Sequence, residues 1–252
     1  MSHLFDLTGK TAIVTGANTG LGQGIALALA DAGAAVSLVG RSAPDETVEK
    51  IKAMGGVCCT VKADLSSVDA IDDIIAATRD QLGGIDILVN NAGIIQRNDA
   101  IDFTMEEWDS VLNVNLRTVF FLSQAFARAC LDASQGGKII NIASMLSYQG
   151  GIRVPSYTAS KSGLMGLTRA LANAWAGKGI NVNAIAPGYF ATNNTAALQT
   201  DPKRSAEILG RIPAGRWGQP KELGGAAVFL ASDASDYVHG TTLPVDGGWL
   251  SR

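Results

Sequence analysis

An open, doubly wound α/β sheet in a single domain spanning residues 1–252 is the fold that the sequence predicts, on three observations. Seven short β-branched runs recur along the chain, stretches with apolar residues three and four positions apart separate them, and the runs are apolar on both faces. Strands buried on both faces and separated by helices make a parallel sheet covered on each side, because right-handed crossovers lay the helices against it. With 47% hydrophobic residues among 252, the chain can bury one sizeable core. No linker rich in Pro, Gly or Ser, no repeat of fixed period and no low-complexity segment divides it.

The strands are expected, in order, over 10–15 (KTAIVT), 35–39 (AVSLV), 57–63 (VCCTVKA), 86–90 (DILVN), 138–143 (KIINIA), 180–186 (INVNAIA) and 241–245 (TTLPV). Between them, Ile25, Leu29 and Ala32, then Ile71, Ile74 and Ile75, then Leu164, Leu167 and Leu171 each mark one apolar helix face. Residues 104–133 predict a single helix roughly 40 Å long. Its Val119, Phe120, Phe121, Leu122 and Phe126 point in several directions, more than one subunit readily covers. Such a helix is expected to pack against a second copy of the chain.

Composition narrows the chemistry. Twenty Lys and Arg against 23 Asp and Glu give a formal charge of −3 with no long run of either sign, so neither a nucleic-acid surface nor a membrane surface is expected. Two histidines, His3 and His239, are too few for a histidine-rich metal site and poorly placed for a Ser-His-Asp arrangement. Cys58, Cys59 and Cys130 are odd in number and lack C-x-x-C spacing, which fits a reduced cytoplasmic setting. MSHLFDLTGK lacks the features of a signal peptide, and no stretch reaches the roughly 18 apolar residues of a membrane span. A soluble, unprocessed protein is expected.

The first strand runs straight into Gly16-Ala17-Asn18-Thr19-Gly20-Leu21-Gly22 and then into a helical pattern. Glycines there let backbone N–H groups approach a pyrophosphate, and the helix N-terminus adds partial positive charge. Gly-rich turns also serve tight packing, so the loop needs context. Asp64-Leu65 after the third strand and Asn90-Asn91-Ala92-Gly93 after the fourth supply it, both at C-terminal strand ends where a crevice opens. With T-G-x-x-x-G-x-G, D-L, N-N-A-G and Pro187-Gly188 in this order and spacing, essentially the whole chain resembles the short-chain dehydrogenase/reductase family. The resemblance implies a Rossmann-type domain binding a nicotinamide dinucleotide. It also implies that Asp64 meets the adenine and that the segment at Asn90 supports the sheet beside the cofactor.

Cofactor choice turns on the end of the second strand, where an acidic residue would bond the adenosine ribose hydroxyls. Gly40-Arg41-Ser42 stands there instead. A guanidinium grips a 2′-phosphate with two parallel hydrogen bonds, so Arg41 points to NADP over NAD; stacking on adenine is the other use an arginine has here.

Tyr157 and Lys161 lie four residues apart, hence one turn apart on one helix face. Ser144, thirteen residues upstream, and Asn115 complete the register of the family's catalytic quartet. Reducing a carbonyl requires a proton at oxygen, and Tyr157 is the natural donor. A free tyrosine has a pKa of about 10, so a neighbouring cation, Lys161 or an oxidised nicotinamide, is expected to lower it. At an effective dielectric of about 20 and about 4 Å a unit charge contributes about 4 kcal/mol, or about three pKa units. The resemblance implies that Lys161 also bonds the nicotinamide ribose, that Ser144 holds the substrate oxygen, that Asn115 anchors a water in a proton relay, and that Thr192 bonds the carboxamide. Ser144 capping the following helix, and Asn115 satisfying nearby backbone, are the structural alternatives.

At the other end of the crevice, Arg97, Ser147, Gln149, Arg153, Tyr189 and Asn193 are candidate substrate contacts, with Arg97 and Arg153 as a carboxylate clamp. The segments around Ser144, Tyr157 and Tyr189, and the arginine-rich stretch 204–216, resemble the family branch acting on deoxy-keto sugar acids such as 2-dehydro-3-deoxy-D-gluconate and 2-deoxy-D-gluconate. That branch usually uses NAD, a point from which Arg41 departs. The rival enzymatic reading is a 3-oxoacyl-carrier-protein reductase, with Phe190 and Leu198 lining an acyl channel. A rival from another class is a non-catalytic dinucleotide-binding regulator. Val245-Asp246-Gly247-Gly248-Trp249-Leu250 resembles the segment that meets another subunit in relatives, which with the long helix implies a homotetramer.

Overall fold

Thr11–Thr15 (β1) is buried along its whole length, and its residues divide between two cores. Ala12 and Val14 join a cluster with Val36, Leu38, Ile87, Val89, Ile140 and Ile142. Ile13 joins the opposite one, with Val39, Leu88 and Ile139. This period-two division is what apolar runs on both faces of a sheet produce, and each fully buried Ile, Val or Leu contributes roughly 1.5–3 kcal/mol. The computed structural model describes residues 4–252; His3 lies outside it.

The sheet is seven-stranded, with order β3-β2-β1-β4-β5-β6-β7. Besides β1 the strands are β2 (Ala35–Gly40), β3 (Cys58–Lys62), β4 (Ile87–Asn90), β5 (Gly137–Ile142), β6 (Ile180–Pro187) and β7 (Thr242–Val245). All pairings are parallel, with Thr11 opposite Ala35 and Ala12 opposite Ile87. Each strand falls within a residue or two of its expected bounds. Asp86, just before β4, is tied to β1 twice, its N–H donating to the Thr11 carbonyl and its carboxylate accepting the Thr11 N–H, both at 2.8 Å. The order reverses between β1 and β4, and the crevice at that reversal is where a doubly wound sheet binds its ligand.

Nine α-helices are seen among the described residues: α1 (Gly20–Asp31), α2 (Asp45–Ala53), α3 (Ile71–Leu82), α4 (Met105–Leu112), α5 (Thr118–Asp132), α6 (Pro155–Trp175), α7 (Ala196–Thr200), α8 (Pro202–Arg211) and α9 (Gly224–Ala231). One face of the sheet is covered by α1 and α9 through Ile25, Leu29, Ala227 and Leu230. The other is covered by α3, α5 and α6 through Ile74, Ile75, Leu122, Phe126 and Leu171. None is long and apolar enough to cross a membrane.

The expected long helix is helical throughout but not uniform. Thr104 and Glu107 start it with reciprocal capping bonds. A π-helical turn, Asn113–Arg117, then separates α4 from α5. Apolar periodicity does not reveal a π turn, which adds one residue without changing the composition of the face. Its effect is to place Asn115, fully buried, behind the crevice. Phe126 and Leu122 are buried, whereas Phe121 is 37% exposed and stacks edge-on against Phe120.

Candidate active site

The C-terminal ends of the strands open on a cleft of about 1260 Å³. Its first wall is the loop from Gly16 into α1. Gly16 and Gly20 hold φ of +66° and +59°, a region L side chains rarely enter. A Cβ on Gly22 would sit 2.1 Å from the Gly16 carbonyl oxygen, so only glycine fits. No side chain caps α1: Thr19 makes no capping hydrogen bond. The first-turn N–H groups, whose dipoles favour an anion, therefore stand free of a side-chain cap beside the cleft wall formed by Asn18, Thr19, Gly20, Leu21 and Gly22.

Asn91, Ala92 and Gly93 are stapled to that loop. The Asn91 amide donates to the Thr15 carbonyl (2.8 Å) and the Gly16 carbonyl (3.2 Å). The backbone N–H groups of Asn91 and Ala92 both donate to the Thr15 hydroxyl at 3.0 Å. Behind them Asn90 donates to Asn141 (2.9 Å) and Ser123 (3.0 Å), tying β4 to β5 and α5. Thr15 opens the T-G-x-x-x-G-x-G motif, whereas Ser123 carries no motif, which is why the sequence alone passes over it.

Arg41, Ser42, Asp64 and Leu65 line one end of the cleft. The Ser66 N–H, donating at 2.9 Å, and then Arg41 hold the Asp64 carboxyl below its usual range. Arg41 makes no ion pair within 4.0 Å among the described residues, although Asp64 lies within its electrostatic reach. An uncapped helix start, an unfilled glycine loop and an exposed guanidinium along one cleft fit the pyrophosphate and 2′-phosphate of a dinucleotide.

At the other end stand Ser144, Tyr157 and Lys161. Val154 and Pro155 begin α6, with proline in its first turn, where no N–H is needed. Tyr157 and Lys161 follow on the face toward the cleft. Burial pushes the Tyr157 phenol up, while the Ser144 hydroxyl and then the Arg97 charge pull it back. Arg97 is thus a cation that acts on the phenol, one that the sequence reading did not name for this role. The Lys161 ammonium lies 5.7 Å from the tyrosine ring centroid and donates to the Ile142 carbonyl at 2.6 Å.

Burial lowers the Lys161 ammonium from 10.5 to about 8. Folding thus disfavours its charged form. The penalty is full below pH 8, where both states would be protonated, and is relieved as pH rises toward the unfolded value. Without cofactor, the stability of the wild type relative to Lys161→Met is expected to rise by about 3 kcal/mol between pH 8 and 10.5. Urea melts across that range check it; a constant difference contradicts the shift.

Asn115 does not line the cleft. Its amide donates to the Ile94 carbonyl (2.9 Å) and the Ser160 hydroxyl (3.2 Å), and its oxygen accepts from the Ile94 N–H (2.9 Å). Ser160 in turn donates to the Tyr157 carbonyl at 2.8 Å. The backbone-satisfying role is thus present, and it reaches the turn that carries Tyr157 through Ser160. Ser144 likewise accepts from the Leu146 N–H at 3.1 Å, capping the short helical turn Met145–Ser147 while facing Tyr157.

Of the candidate substrate contacts, Arg97, Gln149, Tyr189 and Asn193 line the cleft with Pro187, Gly188 and Thr192. Two do not. Arg153, at φ +63°, pairs with Asp99 at 3.2 Å, because the turn before α6 re-aims it. Ser147 is buried and donates to the Lys161 carbonyl at 2.7 Å, which makes it a brace for α6. Arg204, Arg211 and Trp249 line the cleft instead. The arginine-rich stretch points to the first two, whereas nothing in the sequence marks Trp249 as a cleft residue. Arg216 is held by both oxygens of Glu222, at 2.6 and 2.7 Å.

The family model described as enoyl-(acyl carrier protein) reductase matches residues 16–250. The chain is 59% identical to a 2-dehydro-3-deoxy-D-gluconate 5-dehydrogenase of Escherichia coli strain K12, over 98% of both chains. It is similar to a crystal structure from Agrobacterium tumefaciens with bound NADP, provisionally called a 2-deoxy-D-gluconate 3-dehydrogenase (56% identity, TM-score 0.95, 100% of both chains). A gluconate 5-dehydrogenase of Burkholderia cenocepacia J2315 in complex with NADP and tartrate is 40% identical, with a TM-score of 0.93 and coverage of 99% of this chain and 98% of that one.

Proposed function

The chain belongs to the short-chain dehydrogenase/reductase family, and on that premise we propose that it transfers a hydride between NADP and a ketone or secondary alcohol of a small deoxy-keto sugar acid. The substrate class is that of 2-dehydro-3-deoxy-D-gluconate or 2-deoxy-D-gluconate, the acids in the names of its relatives. The observation that carries the reading is one cleft with Arg41 at one end, Tyr157 and Ser144 at the other, and Arg97, Arg204 and Arg211 beyond them. Tartrate, found in the Burkholderia relative, is also a small hydroxy acid.

The Gly16 to Gly22 loop and the start of α1 would take the pyrophosphate, and Arg41 with Ser42 the 2′-phosphate. Asp64, Leu65 and Asn91 to Gly93 would border the adenine and ribose, Lys161 the nicotinamide ribose, and Pro187, Gly188 and Thr192 the carboxamide. When bound, the dinucleotide supplies or accepts the hydride. Tyr157 gives a proton to the ketone oxygen, Ser144 orients that oxygen, and Arg97 favours negative charge on the phenol. Asn115 fixes the Tyr157 turn through Ser160, and a water on the pair it forms with Ile94 would return the proton by way of Lys161.

A 3-oxoacyl-carrier-protein reductase is less well supported: the relative so named is 39% identical, against 59% for the sugar-acid enzyme. Arginines at the substrate end also suit a carboxylate better than an acyl chain. A regulator without chemistry has no need of the assembled site. We further place the chain in a cytoplasmic homotetramer. Met105, Trp108 and Phe121, exposed along α4 and α5, and three free cysteines support that placement. Following NADPH absorbance tests the function: kcat/KM for a deoxy-keto sugar acid is expected to exceed that for an acetoacetyl thioester by at least about 100-fold. Preference for the thioester overturns it.

A further inference from the structure

Three arginines reach the substrate end of the cleft, and their surroundings give them different work. Arg97 acts electrostatically on Tyr157 and so belongs to the reacting end. Arg204 is committed to Glu207, at 2.7 Å. Arg211 makes no ion pair within 4.0 Å among the described residues. Its guanidinium carbon lies 4.0 Å from the ring centroid of Trp249, which is itself only 5% exposed.

That platform is built into the site. The Trp249 indole N–H donates to the Gln149 side-chain oxygen at 2.9 Å, and Gln149 follows Ser144 by five residues on the cleft wall. Tyr189 packs on the same indole, with centroids 4.9 Å apart. Beneath α8, Ile208 and Ile212 share a core with Met145 and Trp249. The C-terminal Arg252 holds the last turn of α8 by donating to the carbonyls of Gly210 (2.6 Å) and Arg211 (3.2 Å). A stacked guanidinium on a fixed helix end loses little freedom on binding and keeps its edge donors for a planar anion.

We propose that Arg211, oriented by Trp249, is the residue that binds the substrate carboxylate and sets the preference for acids. The assignment rests on the sugar-acid reading above. A carboxylate and a reacting ketone several carbons apart need separate cations, and Arg211 with Arg97 supplies that separation.

The test compares a deoxy-keto sugar acid with its uncharged methyl ester, using the full-length enzyme and NADPH. Arg211→Gln keeps most of the stem and removes the charge. Its KM for the acid is expected to rise about 100-fold, with KM for the ester and Kd for NADPH within about threefold of wild type. The matching Arg97→Gln variant is expected to retain the preference for acid over ester. A merely structural role for Arg211 would impair both substrates alike, and that result overturns the assignment. So does an unchanged acid preference in Arg211→Gln, or its loss in Arg97→Gln alone. Failure of the wild type to reduce either acid or ester overturns the sugar-acid reading itself and is seen before any variant is made.

Discussion

Replacing Arg41 with aspartate is expected to lower kcat/KM for NADPH about 1000-fold while raising that for NADH. Arg41 is exposed at the cofactor end of the cleft and has no ion-pair partner within 4.0 Å among the described residues, so its guanidinium is available to a 2′-phosphate. Removing one side of a bidentate, charge-assisted contact costs about 3 kcal/mol, or about 150-fold, and an introduced carboxylate adds repulsion. The carboxylate would instead accept bonds from the ribose hydroxyls of NADH. Because the contact is exposed, the preference for NADPH should weaken as salt is added. Steady-state kinetics with both cofactors checks this, and a cofactor ratio within threefold of wild type contradicts it.

The sheet was legible because its strands are buried on both faces. A run such as Ala12-Ile13-Val14 has nowhere to go but between two layers of helix, and the seven runs lie within a residue or two of the observed strands. The cofactor end was legible for a different reason. Backbone there must approach closely or turn left-handed, and only glycine allows it, as the 2.1 Å clash awaiting a Cβ at Gly22 illustrates.

Less was visible where position depends on a turn's exact path. Arg153 and Arg97 look alike in the sequence, yet a positive φ carries one to Asp99 while the other faces the cleft. Trp249 is distant in sequence from Gln149, and nothing in either segment announces the bond between them. The π turn at Asn113–Arg117 leaves the apolar pattern intact, although it sets the position of Asn115. The influence of Arg97 on Tyr157 was hidden as well, since sixty residues separate the two in the chain.

Tyr157→Phe is expected to have the largest effect of any conservative change. The ring stays in place and only the acidic proton is lost. A positioned general acid contributes about 100- to 10,000-fold, and Tyr157 is the phenol on which both the Ser144 hydroxyl and the Arg97 charge act. Turnover should therefore fall at least about 1000-fold. Because the hydroxyl acts in the transition state, kcat and kcat/KM should fall together, with the affinity for NADPH nearly unchanged. Single-turnover mixing of NADPH-loaded enzyme with the deoxy-keto sugar acid isolates this step from product release. A rate of NADPH oxidation in Tyr157→Phe lower by at least about 1000-fold is the predicted result. A rate within tenfold of wild type, with cofactor equally bound, would mean that the proton comes from elsewhere.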